Sequence, residues 1–191
     1  MAIATPSPKK WTVEECYRLQ DSGLLEGRYE LIHGEIYSKM GQKPLHALSL
    51  SSLVLCLESI FTMRRIRVQA PIALPNPHGR YSEPEPDVAV TKEDLFTYTQ
   101  QHPLPQDLLL VAEVSDASLR FDRRTKAPLY AQSGVTEYWL LDVTNRKLFV
   151  YREPSAEGYR QTILYTEEDT VSLLALPETP IAVRDLFPPI E

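Results

Sequence analysis

The sequence predicts an α/β fold of the mixed α+β kind, with one β-sheet flanked by helices, and three observations carry that expectation. Residues 108–142 read as strand, helix, strand: LLLVAEV is a continuous apolar run, 120–132 has a helical pattern, and GVTEYWLLDV is again β-prone. Such a unit is expected to be a right-handed crossover with its two strands parallel in one sheet. Hairpin signals stand on either side of it, RYELIHGEIYSKM before and KLFVYRE after, which makes the sheet mixed. Finally, 191 residues suffice for one sizeable core, and no repeat or linker divides them. Residues 11–191 are therefore expected to form a single domain behind a flexible tail, residues 1–10.

Each element has its own signal. Thr12 and Glu15 are spaced as a capping box, so a helix runs from there to about Gln20 and stops at Gly23. His33-Gly34 joins two strands in a weaker version of the Asn-Gly hairpin turn. From Pro44 to Arg64 apolar residues recur at helical spacing without an intervening Gly or Pro, which predicts the longest helix. IRVQAPIAL (66–74) is expected as a strand, NPHGRYSEPEP as an exposed loop and PDVAV as a short strand. Thr91 and Asp94 signal another helix start. The C-terminal part alternates short strands, YRQTILY and TVSLLAL, before a last turn at VRDLF.

Composition narrows the function classes. With 43% hydrophobic and 24% charged residues the chain reads as an ordinary soluble globular protein. No apolar run approaches the ~20 residues that span a bilayer, so no membrane association is expected. MAIATPSPKK lacks the apolar core of a signal peptide, and the expected location is cytoplasmic. Cys16 and Cys56 sit outside any CxxC or Cys/His spacing and read as reduced, packed thiols. A net charge of −6 argues against tight, salt-driven nucleic-acid binding. It leaves room for an enzyme that uses divalent cations to bridge carboxylates and phosphates.

The chemistry-bearing residues are two acids in apolar strands. Asp87 opens the run DVAV, and Glu113 interrupts LLLVAEV. An unpaired charge is costly to bury. The plainer alternative makes Asp87 a loop cap and Glu113 a buried acid paired with an arginine. If their strands are neighbours, the two carboxylates face one cleft and repel each other. A hard divalent cation relieves that repulsion, since Mg²⁺ is typically held by one or two carboxylates, waters and phosphate oxygens. Asp122, Lys126 and Tyr130 recur at four-residue spacing on the following helix, either as a functional face or as an ordinary i,i+4 surface pair. Tyr138 and Trp139 read as core aromatics.

The ordered set Pro86-Asp87, Glu113-Val114-Ser115, Asp122, Lys126, Tyr130 and GVTEYWLLD, with YELIHGEIY and PLHALSL upstream, resembles the Uma-two family. That is a bacterial set of restriction-endonuclease-like proteins in the PD-(D/E)XK nuclease superfamily, and the likeness runs from about Trp11 to Phe187. It implies a restriction-endonuclease-like mixed sheet flanked by helices, with N-terminal and C-terminal β-hairpins. It also implies Mg²⁺ or Mn²⁺ bound by Asp87 and Glu113, and cleavage of DNA phosphodiester bonds by a catalytic set of Asp87, Glu113 and Lys126. DNA is then the expected partner, with a homodimer as an additional possibility. The superfamily's lysine belongs at position 115, where this chain has Ser115, and the resemblance nominates Lys126 in its place. His33 stands where the family usually has Asp, and reads as a turn residue. Glu30, in the YEL motif, and His46 are supporting candidates, as a metal or water contact and a proton shuttle or phosphate contact. Asp122 and Tyr130 are supporting candidates too, Glu35 is a weaker one, and His78 and Arg80 are candidate phosphate contacts. The alternative function is a catalytically silent binding or regulatory module on the same fold.

Overall fold

The structure, a computed structural model, describes residues 7–39 and 41–189; residues 1–6 of the expected tail lie outside the described residues. Helix α1 (Val13–Asp21) opens with the full capping box, Thr12 accepting from the Glu15 N–H and Glu15 from the Thr12 N–H. Strands β1 (Tyr29–Ile32) and β2 (Glu35–Ser38) pair antiparallel around His33 and Gly34, whose φ values of 52° and 80° are those of a type I′ turn. Next come α2 (Pro44–Glu58), β3 (Ile66–Val68), β4 (Val88–Thr91) and β5 (Leu108–Ser115). A continuous helical stretch over 119–132 begins with a short α3 (Leu119–Phe121). It widens into a π-helical turn (Asp122–Lys126) and ends as α4 (Ala127–Gln132).

Strands β6 (Glu137–Asp142), β7 (Lys147–Ser155) and β8 (Gly158–Tyr165) complete a six-stranded mixed sheet in the order β3-β4-β5-β6-β7-β8. Within it β5 and β6 are parallel, joined by the 119–132 segment, and every other pairing is antiparallel. A short pair, β9 (Thr170–Val171) with β10 (Ile181–Ala182), follows at the end of the chain.

Alternation along β4 and β5 builds two cores. Val88, Val90, Leu110, Ala112 and Val114 turn to one face, where Leu50, Leu53 and Leu57 of α2 cover them. Ala89 and Val111 turn to the other, against Ala127, Leu129 and Tyr130 of α4 and Ile32 of the hairpin. Tyr138 and Trp139 are wholly buried on opposite faces, as core residues.

Several expected boundaries shift. Helix α2 ends at Glu58, not Arg64, because Ile66 must pair with Val90 and the chain needs residues 59–65 to reverse. Leu45, Leu48 and Leu55 of its apolar pattern lie on the exposed side. The strand expected over 66–74 stops at Val68, where Gln69 takes a left-handed conformation with φ 49°. Thr91 caps no helix; it ends β4, and Asp94 caps a short 3₁₀ turn, Leu95–Tyr98. Only Thr170–Val171 of TVSLLAL is a strand. The SEPEP segment is not an exposed loop: Ser82 and residues 84–86 are buried, because Glu83 exchanges backbone hydrogen bonds with Leu31 and lies along β1 like a third strand.

Candidate active site

The pairing register of the two central strands sets the site. Val88 stands opposite Ala112 and Ala89 opposite Val111, so one step further along this antiparallel ladder Asp87 falls opposite Glu113. Directly opposed residues have Cβ atoms about 5 Å apart, and like charges there are destabilising. Asp87 shares the parity of Ala89, and Glu113 that of Val111, so both carboxylates leave the sheet on the α4 face. The connection is tightened by the Val114 N–H, which donates to Asp87 Oδ2 at 2.8 Å.

The helical stretch brings the cation. Pro128 has no N–H, and its ring would crowd the carbonyl four residues back in a regular α-helix. The turn just before it is π-helical, closed by the Ala127 N–H on the Asp122 carbonyl, and this relieves the crowding. Across this wider turn Asp122 and Lys126 are both buried, at 3% and 2% exposure. Lys126 Nζ lies 2.8 Å from Glu113 Oε1 and 2.8 Å from Glu30 Oε2. Tyr130 OH donates to the same Glu113 oxygen at 2.9 Å. Ser118 Oγ donates to Asp122 Oδ2 at 2.6 Å. Glu30 reaches the site from β1 and also accepts from the Glu85 N–H at 3.3 Å.

Asp87, Glu113, Lys126, Asp122, Ser118 and Glu30 line a cleft of about 440 Å³, with Tyr130 behind Glu113, and Arg28, Lys39, Lys43 and His46 line it too. His46, in the first turn of α2, places Nε2 3.4 Å from Asp87 Oδ1 without completing a hydrogen bond. Burial pushes the Glu113 carboxyl above its usual range; Lys126 opposes that rise, and Asp87 and Asp122 add to it. Burial acts on Asp87 in the same direction, but His46, the Val114 N–H and Lys39 outweigh it and hold its pKa below the usual value. Lys126 is raised: burial alone would lower it, and the carboxylates of Glu113, Glu30 and Asp122 prevail, so the ammonium stays charged.

All seven sequence-nominated residues, Asp87, Glu113, Lys126, Glu30, His46, Asp122 and Tyr130, thus lie in or against one cleft. Ser115 is buried and makes a 3.1 Å contact with Ser118 Oγ, while Lys126 supplies the ammonium beside Glu113. Glu35 is exposed, paired with Lys10 and Tyr37. His78 lies with His33 and Tyr81 in a different depression, and neither it nor Arg80 lines the cleft.

Two residues were missed by sequence reasoning. Gln69 donates from Nε2 to Asp87 Oδ1 at 3.2 Å and accepts from Arg28 Nη1 at 3.1 Å. Arg28 is further ion-paired to Glu85. Gln69 is a neutral residue in an apparent strand, and only its left-handed backbone turns it towards the acid; no sequence pattern marks that.

The donors suit a hard divalent cation. Four buried carboxyl side chains, Glu30, Asp87, Glu113 and Asp122, share the cleft with one buried ammonium. His46 Nε2 is a buried nitrogen still lacking a partner. Among the described residues no three His, Cys, Asp or Glu side chains close on one point. A Mg²⁺-type ion needs only one or two carboxylates from protein and takes the rest from water and substrate.

No curated protein matches the chain. A solved structure, that of "a putative nuclease belonging to DUF820 from Anabaena variabilis ATCC 29413", superposes with a TM-score of 0.66 at 18% identity. The match covers 88% of this chain and 96% of that one, and at such identity it is a likeness of fold: a nuclease-type mixed sheet flanked by helices. The model of the Uma2 family, described as "Putative restriction endonuclease", matches residues 13–184. That span exceeds half of the sequence, and the chain belongs to the Uma2 family.

Proposed function

We propose that this protein is a metal-dependent endonuclease that hydrolyses DNA phosphodiester bonds at the Asp87–Glu113–Lys126 cleft. The family supports a nuclease, and the observation that carries the chemistry is the pairing of Asp87 opposite Glu113 with Lys126 charged beside them. Asp87 and Glu113 would hold Mg²⁺ or Mn²⁺. Bound there, the ion supplies Lewis-acid stabilisation of a phosphoryl oxygen and a more acidic water.

The chain's own groups do the remaining work. Glu30 and Glu113 fix the Lys126 ammonium from two sides, so its charge is in place before any phosphate arrives. Preorganised charge of this kind stabilises negative charge developing on a phosphoryl group without reorganisation at the moment of reaction. Tyr130 orients Glu113, and the Val114 N–H and Gln69 orient Asp87. Arg28, Lys39 and Lys43 stand at the cleft mouth, beside the carboxylates of Glu85, Glu30 and Asp116 respectively. His46 stands beside Asp87 at that mouth, placed to contact a phosphate or carry a proton.

The test combines binding and turnover. Mn²⁺ titration of the purified protein is expected to show saturable binding, with nicking of supercoiled plasmid in Mg²⁺ or Mn²⁺. Asp87→Ala and Glu113→Gln are expected to lose both. Full nicking by either variant removes the assignment. One observation favours the silent-module alternative: Lys126 and Tyr130 already occupy one oxygen of Glu113. Saturable metal binding without turnover on any DNA substrate would select that alternative.

A further inference from the structure

The helical stretch that delivers Lys126 to the cleft has a second face that the catalytic assignment leaves unused. Arg120, Arg123 and Arg124 are exposed, whereas Asp122 and Lys126 in the same stretch are buried. The ion pairs among the described residues engage other arginines, Arg28, Arg64, Arg146, Arg152 and Arg184, but none of these three. Three exposed guanidinium groups within five residues, none of them in an ion pair, make a local positive cluster on a chain with 26 acidic against 20 basic residues.

The three also line a common concavity of about 550 Å³, separate from the cleft, with Leu119 at one side and Tyr151 and Thr162 of β7 and β8 beneath. Arg123 is held in place there, its guanidinium 4.6 Å from the centroid of the Phe149 ring. Stacking on an aromatic face leaves the outward N–H donors of a guanidinium free and lowers the entropy lost when they engage an anion. A planar five-donor group is also the side chain best matched to phosphate oxygens.

We infer that Arg120, Arg123 and Arg124 form a phosphate-backbone contact surface that carries the nucleic-acid strand away from the cleft. The inference rests on the reading of the chain as a nuclease. Nucleic acid fits the site because the stretch that bears the arginines also carries Asp122 and Lys126 into the cleft, so a strand lying in the cleft passes beside them. It also explains how an acidic protein presents a polyanion to its cleft: phosphate contacts position the strand and need only a local positive track. Leu119, the surface's one aliphatic lining residue, is half-buried.

The experiment measures binding apart from cleavage. Affinity for a fluorescein-labelled DNA duplex is followed by anisotropy over a salt series in EDTA, for wild type, Arg120→Ala/Arg124→Ala and the triple variant including Arg123→Ala. The double variant keeps the stacked arginine and so guards against a folding defect in the triple. The dependence of log Kd on log salt is expected to become shallower by about 0.9 for each phosphate that the variant no longer neutralises. Mn²⁺ affinity and hydrolysis of bis(p-nitrophenyl) phosphate, which reaches only the cleft, are expected to stay at wild-type values. An unchanged salt slope in the double variant overturns the inference, as does a loss of binding to anionic phospholipid vesicles with none to DNA. The two proposals fail separately. Arginine-dependent DNA binding without metal-dependent nicking removes the nuclease and keeps the surface, and nicking with wild-type DNA binding by the double variant does the reverse.

Discussion

Lys126 is the residue on which the site balances. Its ammonium is buried between Glu113 and Glu30, and removing one partner of a buried pair leaves uncompensated charge. Lys126→Ala is therefore expected to cost about 3–5 kcal/mol of stability, measured by urea unfolding, besides abolishing activity. A loss below about 1 kcal/mol would mean that the pairs are not formed in solution. Gln69 makes the opposite kind of prediction. A non-glycine residue at φ 49° stores roughly 1–3 kcal/mol, and its amide touches Asp87. Gln69→Gly is expected to raise the melting temperature slightly while weakening Mn²⁺ binding about tenfold or more, as changes behind a metal ligand do. A purely structural role predicts no change in Mn²⁺ affinity. Asp87 and Glu113 were legible in the sequence because a charge inside an apolar run stands out. Gln69 and Arg28 were not, because nothing in their composition distinguishes them from loop residues.

Among the elements, the π-helical turn can be tested on its own. Pro128 follows it two residues on and cannot donate a hydrogen bond across it, and the turn sets the angular offset between Asp122 and Lys126. Pro128→Ala restores the missing N–H and is expected to tighten the turn to α spacing. Thermal stability should hold or rise, by at most the ~3 kcal/mol that an interior proline costs a helix, while nicking falls because Asp122 and Ser118 rotate away from the cleft. Unchanged nicking would show that the offset has no role. The proline was visible in the sequence, yet the 120–132 pattern reads as an unbroken helix, since periodicity alone cannot distinguish one widened turn. The same limit explains α2. Apolar spacing continues past Glu58, but pairing of Ile66 with Val90 decides where the helix must stop.

Across the molecule as a whole, the sheet is a scaffold that holds two acids opposite each other, and a cation bound there is expected to relieve their repulsion. Mn²⁺ at one hundred times its Kd is expected to stabilise the fold by about 2.7 kcal/mol, read as a rise in melting temperature that EDTA reverses. Asp87→Ala is expected to show no such rise. Among the described residues no helix is long and apolar enough to cross a membrane. Local signals in the chain suffice for most element types, for the parallel crossover between β5 and β6, and for the identity of every charged group at the cleft floor. Apolar runs, caps and misplaced charges are all legible one segment at a time. Three-dimensional packing was needed to bring Asp87 opposite Glu113, to carry Glu30 across from the hairpin to share Lys126, and to turn Gln69 inward. Those facts depend on strand register and on backbone reversals between distant segments, where a one-residue shift would send each side chain to the other face of the sheet.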